Sequence, residues 1–155
     1  VPHPRSRFGA PERSPGFLLW RATLDWQRQI RAALEPHELT HVQFVLLASL
    51  WWIEAHAPAP PTQAQLAAHA GTDPMMTSQV LRKLEARALL VRAPDENDTR
   101  ARRLRLTDAG RELTSVALRD VEAADSAFFS PLGAEQPSFV AALAALAAAH
   151  EHLVG

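Results

Sequence analysis

Residues 37–41 read His-Glu-Leu-Thr-His. His-Glu-x-x-His is the pattern with which zinc peptidases hold a metal between two imidazoles and set a carboxylate beside it as general base. The chemistry needs both histidines on one face of one regular helix. Here Pro36 precedes the motif, and Thr40 with Gln43 forms a Thr-x-x-Gln capping box that starts a helix inside it. His37 and Glu38 are then expected in a turn, with His41 as the first helical residue. No third ligand follows at a characteristic spacing. A zinc hydrolase through His37, Glu38 and His41 is an alternative that this geometry disfavours. A metal- or pH-responsive role for His37 or His41 is another, because imidazole titrates near neutrality and binds metals. The plainest reading is turn and helix-start residues, with no metal and no cofactor.

A second chemistry is the recognition of a polyanion. The net charge of −1 conceals an asymmetry. Residues 79–111 carry Arg82, Lys83, Arg87, Arg92, Arg100, Arg102, Arg103, Arg105 and Arg111 against five acids, whereas residues 120–155 contain no Lys or Arg. A charge run is often only a solvated face, so the local pattern must decide. In DPMMTSQVLRKLEARALL, from residue 73, Thr77, Val80, Leu81 and Leu84 follow i, i+3, i+4, i+7 and are expected to pack inward. Met75, Ser78, Gln79 and Arg82 repeat that spacing on the other side. There Gln79 suits adenine, Arg82 suits guanine or a phosphate, and Met75 or Met76 suits a thymine methyl. An ordinary amphipathic helix with a polar outer face has the same pattern. The segment ENDTRARR, residues 96–103, adds Arg100 just after a turn, placed for the narrow minor groove of A·T-rich DNA. Asp98 is expected to hold that arginine extended, with Arg102 and Arg103 near backbone phosphates.

These side chains need elements to position them. Residues 1–16, with four prolines at positions 2, 4, 11 and 15, are expected to form an extended arm. A helix follows from near Pro15 to Leu34, apolar on more than one side through Phe17, Leu19, Trp20, Leu24, Trp26 and Ile30, which suggests a subunit interface. The next helix runs from Thr40 to His56 and stops before APAPP, residues 57–61. Thr62 caps a short helix that Gly71 closes, and Asp73 with Pro74 opens the following one, expected to reach Ala88. Strands at residues 89–92 and 101–106 flank the turn-forming PDENDT, with Leu104 and Leu106 on one face and Arg103 and Arg105 on the other. A helix over about residues 108–129, a break at SPLG, and an alanine-rich helix over about residues 135–154 complete the chain. The fold expected is mainly α with a small β-hairpin wing: a winged helix-turn-helix lobe over about residues 40–107, and a helical dimerisation region over about 17–34, 108–129 and 135–154.

LTHVQFVLL, TQAQLAAHAG, DPMMTSQVLRKLE and NDTRARRLRLTDAG, in this order and spacing, resemble the MarR family of bacterial transcriptional regulators. The likeness covers about residues 17–153, and the stretch ending in LRLTDAG is its most specific part. The resemblance implies a homodimer that binds double-stranded operator DNA as a repressor or an activator, with repression the favoured action, and a two-fold dimer is expected to read an inverted repeat. It implies Arg100 as the minor-groove arginine with Asp98 as its partner. It carries the recognition contacts to Pro74, Met75, Met76, Ser78, Gln79 and Arg82, and sets Thr62 and Gln63 against phosphate. The family often has Gly where this chain has Ala88, so a different turn is expected there. The resemblance also implies a possible small aromatic or phenolic effector between the dimer region and the winged lobe. Trp20, His41, Phe44 and Trp51 are the candidate lining, although aromatic residues on helices usually belong to the core.

With 155 residues, 47% of them hydrophobic, the chain is long enough for one ordinary domain with its own core. The longest apolar run, residues 44–53, is too short to cross a bilayer, so no membrane partner and a cytoplasmic location are expected. The absence of cysteine excludes disulfides and thiol chemistry, including the peroxide-sensing branch of the family. A winged-helix module that serves protein contacts alone remains the other non-enzymatic reading.

Overall fold

Local capping signals set most of the element boundaries. A computed structural model of the chain describes residues 6–95, 97–98 and 102–150. Helix α1, Pro15–Leu34, starts where the Ser14 hydroxyl accepts the Phe17 N–H at 3.4 Å with Pro15 in the first turn. The arm before it is less extended than expected, because Pro11–Arg13 forms a single 3-10 turn. A second such turn, Glu35–His37, leads to α2, His41–His56. The capping box there is complete: Thr40 Oγ1 accepts the Gln43 N–H at 3.2 Å and Gln43 Oε1 accepts the Thr40 N–H at 3.0 Å. Helix α3, Gln63–Ala70, and helix α4, Pro74–Ala86, follow. Strands β1, Leu90–Pro94, and β2, Arg102–Leu106, pair antiparallel with Leu90 opposite Leu106 and Pro94 opposite Arg102. Helix α5, Asp108–Phe129, is capped by Thr107, and α6, Gln136–His150, follows a 3-10 stretch at Ser130–Glu135.

Helix α4 stops two residues earlier than the sequence suggests. The Leu89 N–H donates to the Leu84 carbonyl at 3.0 Å and the Ala88 N–H to the Glu85 carbonyl at 2.9 Å, a Schellman ending. Ala88 sits at its left-handed position with φ 56°. The turn expected to differ because glycine is missing is therefore formed by alanine. Leu84 and Leu89, both buried, supply the apolar contact that normally accompanies this ending. A left-handed L-residue costs about 1–2 kcal/mol, part of which glycine gives back in unfolded-state entropy. Ala88→Gly is accordingly expected to stabilise the chain by about 1 kcal/mol, read as a higher urea midpoint with an unchanged slope.

The core lies under the winged lobe and the middle of the helical region. Ile30 and Leu34 of α1, Leu46, Leu47 and Leu50 of α2, Leu66 of α3, Leu81 and Leu84 of α4, and Leu104 of β2 are almost wholly enclosed. The N-terminal half of α1 is different. Phe17, Leu18, Leu19 and Trp20 are exposed, as are Val140, Leu143 and Leu146 of α6. Apolar residues on several sides of α1 thus do not all meet neighbours within one chain.

Candidate nucleic-acid interface

The α3–turn–α4 unit is built by its own hydrogen bonds. Thr62 caps α3 in a second capping box, with Gln65: its hydroxyl accepts the Gln65 N–H and its own N–H donates to Gln65 Oε1 at 2.9 Å. Gly71 takes φ 65° at the end of α3, which lets the Thr72 N–H reach the Ala67 carbonyl at 3.0 Å. Asp73 Oδ1 accepts the Met76 N–H at 2.8 Å and opens α4, with Pro74 exposed at its first position. Thr77 is fully buried, and its hydroxyl donates to the Asp73 carbonyl at 2.7 Å. Having given its proton there, it accepts from Thr72 Oγ1 at 2.7 Å. The turn is therefore locked from beneath.

The two faces of α4 separate as the spacing predicts. Thr77, Leu81 and Leu84 are buried and Val80 packs against the core. Met75, at 73% exposure, with Met76, Gln79 and Arg82, is exposed, and Ser78 is half-buried. Arg82 lies back along the helix, its Nε donating to the Ser78 carbonyl at 3.3 Å and its Nη2 to the Ser78 hydroxyl at 3.4 Å. With only these long contacts, Arg82 stays exposed.

The wing packs against α4 through β1. Leu104 and Leu106 are buried and Arg102 and Arg105 exposed. Arg103 has a different setting from the phosphate contact expected of it. Its Nε donates to Asp95 Oδ2, and its Nη1 to the Pro60 carbonyl at 3.0 Å and to Gln65 Oε1 at 3.2 Å. The Asn97 N–H, and after it the Arg103 guanidinium, holds the Asp95 carboxyl below its ordinary value. The acid that braces Arg103 is thus Asp95, just past the end of β1 on the turn side of the wing. Asp98 is exposed in the turn, and Arg100, the residue it was expected to brace, lies outside the described residues. Gln63 is also engaged internally: its Oε1 accepts from Arg92 Nη1 at 3.0 Å, while Arg92 Nε donates to Glu85 Oε2 at 3.2 Å. Arg92 thereby ties β1 to α3 and α4. Strand β2 also gains a partner the sequence did not signal, because the Leu104 N–H donates to the Pro61 carbonyl at 2.9 Å and Thr62 forms a bridge with Arg103.

The His-Glu-x-x-His segment does not form a metal site. His37 ends the 3-10 turn, Glu38 is left-handed at φ 52°, and His41 begins α2, so the histidines do not share a helix. His37 Nε2 meets Asp120 Oδ2 of α5 at 2.6 Å. His41 packs edge-on against Trp26, whose Nε1–H donates to Asp125 Oδ1 at 2.7 Å. Burial lowers the His41 pKa, with Arg31 acting in the same sense and Asp125 opposing. Among the described residues no cluster of three His, Asp or Glu side chains is arranged to hold a metal.

The four candidate lining residues differ in setting. Phe44 is core, Trp20 is exposed on α1, and His41 belongs with Trp26. Trp51 borders a hollow, of about 230 Å³, with Trp52, His56 and Leu118. A second apolar hollow, of about 220 Å³, lies between α1, α5 and α6 beside Trp26, Phe129 and Phe139.

The chain matches the model of the MarR family over residues 39–101. It is 46% identical over 125 residues to an uncharacterized HTH-type transcriptional regulator, YdcH, of Bacillus subtilis, covering 81% of this chain and 84% of the relative. It is 35% identical over 121 residues to the HTH-type transcriptional repressor Rv2887 of Mycobacterium tuberculosis, covering 78% of this chain and 84% of that one. The crystal structure of Rv2887 in complex with salicylic acid superposes with a TM-score of 0.65 at 32% identity, over 86% of this chain and 96% of its own. The transcriptional repressor CouR bound to a 23-mer DNA duplex superposes with a TM-score of 0.78 at 26% identity, over 94% of this chain and 99% of its own. CouR comes from Rhodococcus jostii RHA1, and a structure of it with p-coumaroyl-CoA is similar as well.

Proposed function

The chain belongs to the MarR family of helix-turn-helix transcriptional regulators, and from that premise we propose that it works as a homodimeric repressor on an inverted-repeat operator, released by a small aromatic ligand. It is a DNA-binding regulator and not an enzyme. The observation that carries the reading is α4, which buries Thr77, Leu81 and Leu84 while presenting Met75, Gln79 and Arg82 to solvent beside an arginine-bearing wing. Pro74, Met75, Met76, Ser78, Gln79 and Arg82 enter the major groove. Arg100 enters the minor groove with Asp98 as its support, and Thr62, Gln63 and Arg102 meet phosphates. Arg103 serves by holding the start of the wing turn through Asp95. The exposed apolar residues of α1 and α6 meet a second copy, which places two α4 helices about one helical turn, roughly 10 base pairs, apart. The relatives that bind salicylic acid and p-coumaroyl-CoA favour an aromatic effector, for which the hollow beside Trp51 is the starting place. Such a protein acts in the cytoplasm, where the operator is.

Fluorescence anisotropy with a duplex from upstream of its own gene, at two salt concentrations and against scrambled DNA, tests the reading. Tight, selective binding that weakens with salt is expected. Arg100→Ala is expected to weaken operator binding by about 1–3 kcal/mol, roughly 5- to 150-fold. Unchanged affinity would remove Arg100 from recognition, and no binding to either duplex at low salt would overturn the reading as a whole.

A further inference from the structure

The outer edge of β2 is where a sheet would add another strand, and unpaired backbone there has to be satisfied. The fold does this in two ways. The Leu104 N–H uses the Pro61 carbonyl. Two residues on, the Leu106 N–H donates to Glu54 Oε1 at 3.0 Å. Glu54 lies in the last turns of α2, and its Oε2 accepts from Arg111 Nη2 of α5 at 2.6 Å. Arg111 Nη1 in turn donates to the Leu106 carbonyl at 3.3 Å. Both backbone groups of Leu106 that face away from β1 are therefore held by one ion pair, which stands in for a neighbouring strand. The Glu54 side chain is only 9% exposed, so its charge is balanced by these two donors and hardly by water.

An apolar contact would keep the Leu106 side chain in the core equally well. It would not fix the rotation of the peptide planes on either side of it. That rotation sets where the wing points. From Leu106 to Arg102 the strand runs about 13 Å at roughly 3.3 Å per residue, so a tilt of about 10° at its root moves Arg102 by about 2 Å. Groove contacts tolerate much less than this, since hydrogen bonds weaken within a few tenths of an ångström.

We propose that Glu54 is a positioning residue for DNA recognition: with Arg111 it fixes the angle at which the wing leaves α5, so that wing and α4 reach adjacent grooves together. This rests on the DNA-binding function above. Glu54→Gln keeps an oxygen for the Leu106 N–H and nearly the same volume, but removes the charge that draws Arg111. The variant is expected to remain folded, to exchange the Leu106 amide hydrogen faster, and to lose about tenfold in operator affinity while binding scrambled duplex as the parent does. A fall in the operator-to-scrambled ratio is the readout that a merely structural role would not move. Equal weakening on both duplexes, or no change on either, would overturn the proposal. Should Glu54→Gln fail to fold, Arg111→Lys keeps the ion pair and loses the second arm of the fork. Its ratio is expected to fall several-fold, and a ratio equal to the parent's would overturn the proposal. If the parent protein itself shows no preference between the duplexes, the DNA-binding function fails on its own. The exchange rate of the Leu106 amide then decides the clamp, and an unchanged rate in Glu54→Gln would overturn it.

Discussion

Replacing Gly110 with alanine is expected to cost about 3 kcal/mol or more of stability, in spite of alanine's advantage in helices. Gly110 is buried in the first turn of α5. A Cβ there would lie 1.9 Å from the Leu89 carbonyl oxygen and 2.9 Å from its carbon. Neither is the flexible end of a side chain. The Leu89 carbonyl accepts the Thr107 N–H at 3.1 Å, and the Leu89 N–H closes the end of α4 on Leu84. Movement at Leu89 would therefore open the α4 ending and the α5 cap together. Helix propensity alone predicts a gain of about 1 kcal/mol for Gly110→Ala. Overpacking against fixed backbone predicts a loss of about 1–3 kcal/mol, and more where the neighbour cannot move. The two expectations have opposite signs, and urea unfolding of the purified variant separates them. A stabilised variant would mean that α5 can lift away from the start of the wing without penalty. The result also bears on LTDAG, residues 106–110, as a unit. Thr107 Oγ1 accepts the Gly110 N–H at 2.9 Å and donates to the Ala88 carbonyl at 2.7 Å, so threonine joins the two helices and glycine lets them approach.

What the sequence revealed and what it hid divide along the range of the interactions. Thr40 with Gln43, Asp73 with Pro74, and Gly71 each act within a few residues, and each sits where its local chemistry requires. The faces of α4 were legible because the helix is apolar on one side only. Helix α2 is apolar on nearly every side, so its spacing did not reveal that Phe44 faces the core while Trp52 faces solvent. Arg103 looked like a free cation because its partner, Asp95, lies across the wing turn, and because its other acceptors are the Pro60 carbonyl and Gln65. Gln63 was likewise read without Arg92, which is 29 residues away. Ala88 shows the remaining kind of miss. A preference of about 1 kcal/mol for glycine is overridden where a Schellman ending and the Leu84–Leu89 contact already define the turn.

Leu81→Ala and Gln79→Ala, two positions apart on α4, are expected to fail in opposite ways. Leu81 has no exposed surface and belongs to the main core cluster. Its truncation leaves a cavity between α4 and the helices beneath it, and buried Leu→Ala changes cost about 2–5 kcal/mol. A domain with about 5–15 kcal/mol in total would lose a large share of its stability. Gln79 is exposed, and truncating it should move stability by no more than about 0.5 kcal/mol. If Gln79 reads a base edge, its loss should cost about 1–3 kcal/mol in discrimination between operator and altered duplex. Urea unfolding and anisotropy on the same samples give both axes. Leu81→Ala should shift the unfolding midpoint strongly and, under conditions where it is still folded, keep its preference for the operator. Gln79→Ala should hold the midpoint and lose the preference. A Leu81→Ala protein of parental stability would mean that α4 is not anchored through this residue. A Gln79→Ala protein with full selectivity would move base recognition to Met75, Ser78 or Arg82, because those side chains share the same face of α4.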